Sequence, residues 1–364
     1  MPHKSLFGLL ASLVLVSGAL PSTGARFDET PDTSRLVPLT DMTKEDKYRG
    51  LEGGLYPECA NQRPAGHEAA GLRLAKKVVP LDKDGKPSAG GKIVVLGVGF
   101  SNTFQCFKGF QAVAAADQNV NPRVVLVNGA VGGIPAEVAQ HEDGQRRMGQ
   151  GGQARVVKYW EEVDKRLKQA DVTPKQVEVV WIKETNPAPH KEGFPKYTQD
   201  LQAQITKIVQ LLPKRFPNVQ LVYLSSRSWG GWAKVPAGSK ASQPGNSEPY
   251  SYETGFAVKW LIERQIKGEA ELNYDPAKGT VKAPWLSWGP YWWANGENKR
   301  KDGFHFQKSD FRDNDQMHHS EVGMKKLGQE LLRFFKTDTT TKTWFTKGAQ
   351  EKRNPESQNE TSNR

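Results

Sequence analysis

The chain has very little cysteine and no long apolar segment beyond its N-terminus. Only Cys59 and Cys106 occur among 364 residues, which excludes a small domain held together by several disulfides. Two thiols can form one bridge or remain two buried thiols, and the sequence leaves both alternatives open. No later apolar run reaches the ~20 residues of a membrane-spanning helix, so no transmembrane segment is predicted.

Motifs for metals and dinucleotides are also missing. The glycines of NGAVGG, Asn128 to Gly133, lack the Gly-x-Gly-x-x-Gly spacing of a dinucleotide site. Several histidines lack the spacing of metal ligands, namely His67, His141, His190 and His305. The sequence therefore predicts neither a metal site nor a cofactor.

Charge is unbalanced but not concentrated. The sequence has 51 Lys and Arg against 40 Asp and Glu, a formal net charge of +11, without a block of five or more like charges. Such an excess favours attraction to anionic surfaces, of which an acidic polysaccharide is one.

The first 25 residues have the organisation of a secretory signal peptide. His3 and Lys4 precede an apolar run from Leu6 to Val16, and small residues follow at Ala19 and Ala25. We expect cleavage in this region and a secreted or periplasmic mature protein. Export separates the protein from most nucleic acid, so no nucleic-acid partner is expected.

From residue 92 onward, short apolar segments alternate with helical patterns. The predicted strands are Ile93–Gly99, Arg123–Ala130, Val177–Thr185 and Asn218–Ser226, with a short fifth within Ala283–Gly296. The predicted helices are Phe104–Ala116, Gln153–Ala170, Tyr197–Leu212, Tyr252–Lys267 and Glu321–Phe335. Strands that are apolar on both faces and alternate with helices indicate a mainly parallel sheet covered on both sides. We predict a three-layer α/β/α sandwich over residues 91–340.

Two further segments flank this domain. Residues 26–90 are predicted to form an N-terminal arm and loop that pack on the domain, with Leu51 to Gly71 interpreted as loop because it is rich in turn formers. Residues 347–364 are polar and are predicted to be a disordered tail.

Polar residues with catalytic potential fall where predicted strands end, the edge at which parallel sheets place their ligands. Ser101 follows the first strand, and DQMHHSEVG places Asp315 three residues before His318 ahead of the last helix. A serine, an imidazole and a carboxylate are the groups that acyl transfer needs. Read alone, Ser101 is a candidate helix cap, while His319 and Asp313 are neighbouring alternatives for the base and the orienting acid.

Four segments, in order, resemble the four sequence blocks of the SGNH (GDSL-type) hydrolases. They are GFSNT, NGAVGG, ETNP and DQMHHSEVG, and the resemblance spans residues 92–335. The chain departs from the family pattern at Phe100, where the family has Asp, and at Glu184, Pro187 and His319, where it has Gly, Asp and Pro. The resemblance implies a flavodoxin-like sandwich with a five-stranded sheet.

The resemblance also implies roles for individual residues. Ser101 matches the nucleophile, His318 the base and Asp315 the acid that orients it. The oxyanion hole would consist of the backbone N–H groups of Ser101 and Gly133 and the side chain of Asn186. This implies an SGNH-type carboxylic-ester hydrolase that needs no cofactor.

The expected substrate is an acyl ester, with an acetylated polysaccharide favoured by export and charge. Arg227 is a candidate substrate contact, and the aromatic residues Trp288, Tyr291 and Trp292, with Trp285 and Trp293, are candidates for sugar stacking or for core packing. Two other functions use the same scaffold: a non-catalytic envelope or glycan-binding protein, and an O-acyltransferase with the same site residues.

Overall fold

The structure is a computed structural model that describes residues 32–149, 154–187, 192–233 and 248–347. The predicted signal peptide and residues 348–364 of the predicted tail lie outside the described residues. Among the helices in the described ranges, none combines the length and apolar character needed to cross a bilayer.

In the central part of the chain, strands and helices alternate in the order that the sequence pattern predicts. The strands are β1 Lys47–Tyr48, β2 Leu51–Glu52, β3 Ile93–Gly99, β4 Val124–Asn128, β5 Gln145–Met148, β6 Arg155–Lys158, β7 Val177–Lys183, β8 Leu221–Leu224 and β9 Trp285–Trp288. The α-helices are α1 Ala65–Ala75, α2 Ser101–Ala115, α3 Ala136–Ala139, α4 Tyr159–Gln169, α5 Lys196–Arg215, α6 Tyr250–Ile266, α7 Glu321–Thr337 and α8 Lys342–Phe345.

Five of these strands form an all-parallel sheet in the order β4-β3-β7-β8-β9. In chain order this is second, first, third, fourth and fifth, the order of flavodoxin-like sheets. Every residue of β3 and β7 is buried, as expected for central strands that helices cover on both faces. The predicted α/β fold with a mainly parallel five-stranded sheet is confirmed.

Two hydrophobic cores lie on opposite faces of the sheet. Side chains of a strand alternate between faces, so Leu96 and Val98 of β3 lie in the core with α4, α5 and α6. Ile93 and Val95 lie in the other core, with residues of α1, α2, α7 and α8. The sheet edge at the carboxyl ends of the strands therefore lies between two helical layers.

Two local predictions are wrong. The segment Leu51 to Gly71 is not all loop, because α1 begins at Ala65 and buries Ala70 and Gly71. A side chain at position 71 would overlap the indole of Trp285, so this glycine permits close packing where composition suggested a turn. The helix predicted from Gln153 begins only at Tyr159, because β6 precedes it and pairs with β5.

The N-terminal arm contributes to the core and does not only lie on the surface. Leu36, Leu39 and Met42 belong to the core with α5 and α6. The backbone N–H of Leu39 donates to the Tyr291 hydroxyl at 3.2 Å. The side-chain amide of Asn295 donates to the carbonyl oxygen of Leu36 at 3.1 Å. The arm is thus fixed to the segment that follows β9.

The aromatic segment around β9 is core. The stacking candidates have exposed fractions of only 0 to 4%: Trp285, Trp288, Tyr291, Trp292 and Trp293. Their assignment to sugar binding is therefore wrong, because no indole face is open to a sugar ring. Trp288, for example, donates its Nε1–H to the Leu55 carbonyl oxygen at 2.6 Å. The alternative reading as core and fifth strand is confirmed.

The two cysteines are free thiols. Cys106 is buried within α2, whereas the thiol of Cys59 lies 3.4 Å from the carbonyl oxygen of Met42. The disulfide that the sequence left open is not formed.

Candidate active site

Ser101, His318 and Asp315 form one hydrogen-bonded chain. Ser101 is the first residue of α2, directly after β3, and the other two precede α7. His318 Nε2 lies 3.0 Å from Ser101 Oγ, and His318 Nδ1 lies 2.8 Å from Asp315 Oδ2. In the neutral imidazole with its proton on Nδ1, the Nδ1–H group donates a hydrogen bond to Asp315. Nε2 then accepts a hydrogen bond from the Ser101 hydroxyl. This is the arrangement of a nucleophile, its base and an orienting carboxylate.

Asp315 is held as a carboxylate. Its Oδ1 accepts the backbone N–H groups of Met317 and His318, each at 2.9 Å. Partial burial raises the pKa of Asp315, but these two N–H donors and the His318 ring outweigh it, so the net pKa lies below the ordinary value. An ionised Asp315 fixes the imidazole orientation and the tautomer that leaves Nε2 free to accept a proton.

Helices α2 and α7 bring the two halves of this chain together. A Cβ atom on Gly109 would overlap the carbonyl oxygen of Met324, and one on Gly328 would overlap the backbone of Gly109. Next to this contact the rings of Phe110 and Phe335 stack with their centroids 5.2 Å apart. Because Ser101 begins α2 and His318 lies three residues before α7, the glycine contact sets the distance between nucleophile and base.

Gly99 forms the turn that presents Ser101. Its φ of 151° lies in a region that side chains rarely adopt, and a Cβ there would overlap the Lys183 carbonyl oxygen of the neighbouring strand. The hydroxyl of Thr103 also bonds to that oxygen. The strand therefore ends in glycine because β3 and β7 meet too closely for another residue.

The first turn of α2 offers backbone donors beside the Ser101 hydroxyl. Phe100 occupies the N-cap position and cannot cap with its side chain. The N–H groups of Ser101, Asn102 and Thr103 have no acceptor among the residues that the structure describes. Unpaired N–H groups at a helix N-terminus attract negative charge. The turn is a candidate for holding an oxyanion.

The glycine loop after β4 lies against the nucleophile. A Cβ on Gly132 would be 3.7 Å from the Cβ of Ser101, and the N–H of Val131 donates to the Gly99 carbonyl oxygen at 2.9 Å. Gly133 follows with φ of 81°, and its carbonyl oxygen accepts from Arg146 at 2.8 Å. The structure brings the loop of the predicted donor Gly133 to Ser101, with Gly132 as the glycine in contact.

Asn186 does not have the predicted role. Its Oδ1 accepts the N–H of Glu137 in α3 at 3.1 Å, and its Nδ2 donates to Gln204 in α5 at 2.7 Å. The residue is 4% exposed and does not line the cavity at Ser101. The prediction of Asn186 as a side-chain oxyanion donor is therefore wrong, because its amide connects two helices.

A cavity of about 110 Å³ opens beside Ser101 and His318. Arg227, the predicted substrate contact, lines it, as does Lys183, which sequence reasoning missed. Arg227 is held in place by a 3.2 Å bond from its Nε to the Ser251 hydroxyl and by the ring of Tyr250 beneath its guanidinium. The sequence signal for Lys183 was a lysine at the end of a mostly apolar strand.

His319 and Asp313, the neighbouring alternatives, are placed elsewhere. His319 is fully buried, its Nε2 lies 3.3 Å from the Ser228 hydroxyl, and burial lowers its pKa to about 3. Asp313 is exposed, whereas Asp315 bonds His318. Within the described ranges, no group of three His, Cys, Asp or Glu residues could hold a metal ion.

Comparisons of the chain with protein-family models, with curated proteins and with solved structures give no match. The functional argument therefore depends on the geometry of the site.

Proposed function

We propose that the protein is a serine ester hydrolase of the SGNH (GDSL) type, exported from the cell. One observation carries the proposal: the 3.0 Å and 2.8 Å contacts that connect Ser101, His318 and Asp315 at the carboxyl edge of a parallel sheet. A glycan-binding protein on the same scaffold would have no need for this chain, so the contacts favour an enzyme.

The reaction would proceed in two steps. Ser101 Oγ attacks the ester carbonyl while its proton passes to His318 Nε2, and the tetrahedral intermediate collapses when the leaving alkoxide takes that proton. A water molecule then gives a proton to His318 and attacks the acyl-serine. The acid is released as His318 returns that proton to Ser101 Oγ, which restores the hydroxyl. Asp315 stabilises the imidazolium in both steps.

The oxyanion would be held by backbone groups. The N–H groups of Ser101 and Asn102 at the start of α2 lack acceptors within the described part of the chain, and Gly133 lies on the adjoining loop. Donors that are already fixed in place stabilise developing charge without reorganisation. In this proposal backbone groups replace the Asn186 side chain.

The cavity favours a short acyl group. Its volume of about 110 Å³ accommodates a short acyl group such as acetyl. A long fatty acyl chain would have to extend beyond the cavity. The excess of positive charge remains an argument for an anionic carrier such as an acidic polysaccharide, but the buried tryptophans no longer support one.

Hydrolysis of a series of acyl esters tests the proposal. We expect the purified protein to cleave 4-nitrophenyl acetate and butyrate faster than the octanoate. Ser101→Ala should reduce kcat/KM to the background rate, whereas Ser309→Ala, which changes an exposed serine, should leave it unchanged. Hydrolysis that survives Ser101→Ala, or no hydrolysis of any ester in the series, would contradict the proposal.

A further inference from the structure

Lys183 is a buried lysine in the wall of the cavity. It ends β7, is 4% exposed and lines the same cavity as Ser101 and His318. Its ammonium group makes no hydrogen bond or ion pair with the residues that the structure describes. A buried charge is costly unless it is paired. The cavity wall thus contains an ammonium group that has no hydrogen-bond acceptor among the described residues.

Cys106, Glu184 and His319 are titratable groups near Lys183, and none of them forms a hydrogen bond with its ammonium group. Burial raises the pKa of the Cys106 thiol, on α2, to about 11. Burial also raises the pKa of Glu184, the next residue along the chain, well above its usual value. The Cys106 thiol is therefore neutral near pH 7, whereas Glu184 lies close enough to raise the pKa of Lys183. His319, before α7, is neutral as well, because burial lowers its pKa.

Lys183 itself keeps most of its charge at neutral pH. Burial lowers its pKa to about 8, and the Arg227 guanidinium, from the segment after β8, acts in the same direction. At pH 7 the ammonium form still predominates. Lys183 and Arg227 both place basic groups in the cavity wall, and Glu248 lies near the Arg227 guanidinium behind it.

The other described residues of the cavity wall carry no negative charge. No acidic residue is among the described residues that line the cavity. Outside it, the β5–β6 hairpin carries exposed Arg147 and Arg155, and Arg146 bonds the Gly133 carbonyl oxygen beside the nucleophile. A cationic wall around a nucleophile attracts and orients anionic substrates.

We propose that Lys183 binds an anionic group of the ester, so that the preferred substrates carry a carboxylate a few atoms from the scissile carbonyl. This rests on the proposed ester hydrolysis at Ser101. The small cavity places the anion close to the reacting bond. The carboxylate can belong to the acyl group or to the alcohol, and the chemistry at Lys183 is the same in both cases.

Two pairs of isosteric esters separate these sources. In the first pair, monomethyl succinate has a carboxylate in its acyl group where methyl succinamate has an amide. In the second pair, 4-acetoxybenzoate has a carboxylate in its alcohol where 4-acetoxybenzamide has an amide. We expect wild-type kcat/KM to favour the carboxylate at least tenfold in one pair. The pair that shows the preference identifies which side of the ester Lys183 contacts.

Lys183→Met keeps the length of the side chain and removes its charge. It should reduce the carboxylate preference to about one while it changes kcat/KM for the neutral amide less than threefold. Lys108→Met, on the exposed face of α2, should keep the preference. An equal loss for both members of each pair would indicate a structural role, and an unchanged preference would exclude an anion contact; either result overturns the inference.

A wild-type measurement keeps the test valid if Lys183→Met does not fold. Succinate, but not succinamide, should slow labelling of Ser101 by a fluorophosphonate, and equal rates would overturn the inference. Ser101-dependent hydrolysis of the neutral esters without a carboxylate preference would remove this inference alone. No hydrolysis of any ester, together with an unlabelled Ser101, would remove both it and the proposed function.

Discussion

At the scale of single residues, the proposed chemistry depends on which carboxylate orients His318. Asp313 and Asp315 are the two candidates from the sequence, and Asp315 Oδ2 lies 2.8 Å from the Nδ1 of the His318 ring. Asp313 is exposed. The orienting group also accepts two backbone N–H groups of the same loop, so Asp315 shapes the loop as well as the imidazole.

Replacement of each aspartate by asparagine tests this assignment. Asp315→Asn should lower kcat by about 10⁴-fold, because an amide in this position favours the wrong imidazole tautomer. The measurement is kcat for a short acyl ester, with circular dichroism to verify folding. Asp313→Asn is the matched control and should retain wild-type kcat. Similar losses in both variants would contradict the role of Asp315.

The sequence predicted some site residues and missed others for physical reasons. Asp315 and His318 are three residues apart, a spacing short enough to fix their proximity, and the turn before α2 placed Ser101. Asn186 was misassigned because its partners, Glu137 and Gln204, lie on helices whose positions only the fold determines. Lys183 was missed because the sequence does not show that its side chain lines the cavity. That depends on which elements surround the end of β7.

At the scale of elements, the contact between α2 and α7 connects fold and chemistry. Gly109 and Gly328 allow the two backbones to meet, and Gly323 allows the start of α7 to lie on the backbone of Asp310. Ser320 caps α7 by accepting the N–H of Gly323 at 3.2 Å. The position of His318 thus depends on packing along the whole of α7.

Alanine substitutions in two helices test this dependence. Gly328→Ala should push α7 away from α2, reduce the free energy of unfolding by about 1–3 kcal/mol and lower kcat. Gly66→Ala, in α1, meets no atom within 4 Å and should stabilise the protein by about 0.5–1 kcal/mol without effect on kcat. Chemical denaturation and ester hydrolysis provide the two readouts.

If both variants kept the wild-type free energy of unfolding and kcat, the α2–α7 contact would not hold the site together. A loss of stability in Gly328→Ala with an unchanged kcat would show that His318 keeps its position independently of α7.

The elements themselves were predictable where one pattern dominated. β3 was predicted with its observed bounds because all seven of its residues are buried. The start of α1 was missed because Gly66 and Gly71 resemble turn residues, and β6 was missed because it is short and its burial alternates weakly. Local composition does not show that a glycine serves close packing.

At the scale of the whole molecule, burial raises the pKa of several carboxyl groups, even where an arginine is close, as Arg49 Nε is to Glu253 Oε1 at 3.8 Å. Burial raises the pKa of Glu178 to about 9, although the N–H of Val79 opposes this, and raises the pKa of Glu248 and Glu253 to about 7. The folded state therefore binds more protons than the unfolded state above the unfolded pKa near 4.5. Stability from these groups is present at low pH and is lost as the pH rises through the folded values.

The buried histidines act in the opposite direction over a different range. Burial lowers the pKa of His67 to about 4 and of His319 to about 3. The stability that these histidines contribute increases from about pH 3 and is complete above their unfolded-state pKa near 6.5. Between pH 7 and 8 the glutamates therefore dominate, and the free energy of unfolding should fall as the pH rises.

Glu178→Gln should reduce this pH dependence. One carboxyl that stays protonated in the folded state contributes a slope of about 1.4 kcal/mol per pH unit, and glutamine still accepts the Val79 N–H. Denaturation at pH 7 and pH 8 should show a smaller decrease for Glu178→Gln than for the wild type. Glu297→Gln, at an exposed position, is the control. Equal decreases in all three proteins would contradict a neutral Glu178.

The architecture was the most predictable feature at this scale. Apolar runs separated by helical patterns predicted a parallel sheet covered on both faces, and the sheet has that form. The sequence did not predict that the arm enters the core, and it left open whether the tryptophans fill the core or bind a sugar, because both depend on long-range contacts such as Leu39 with Tyr291.

The most direct test of the central claim is labelling of the folded protein by a fluorophosphonate, followed by peptide mass spectrometry. Ser101 Oγ should displace fluoride and carry the label, and His318→Ala should slow the reaction strongly, because Ser101 then lacks its base. Ser228→Ala, which changes the serine bonded to His319, should label normally. A label on Ser101 that depends on His318 is the predicted result, and folded protein that leaves Ser101 unlabelled would contradict the account.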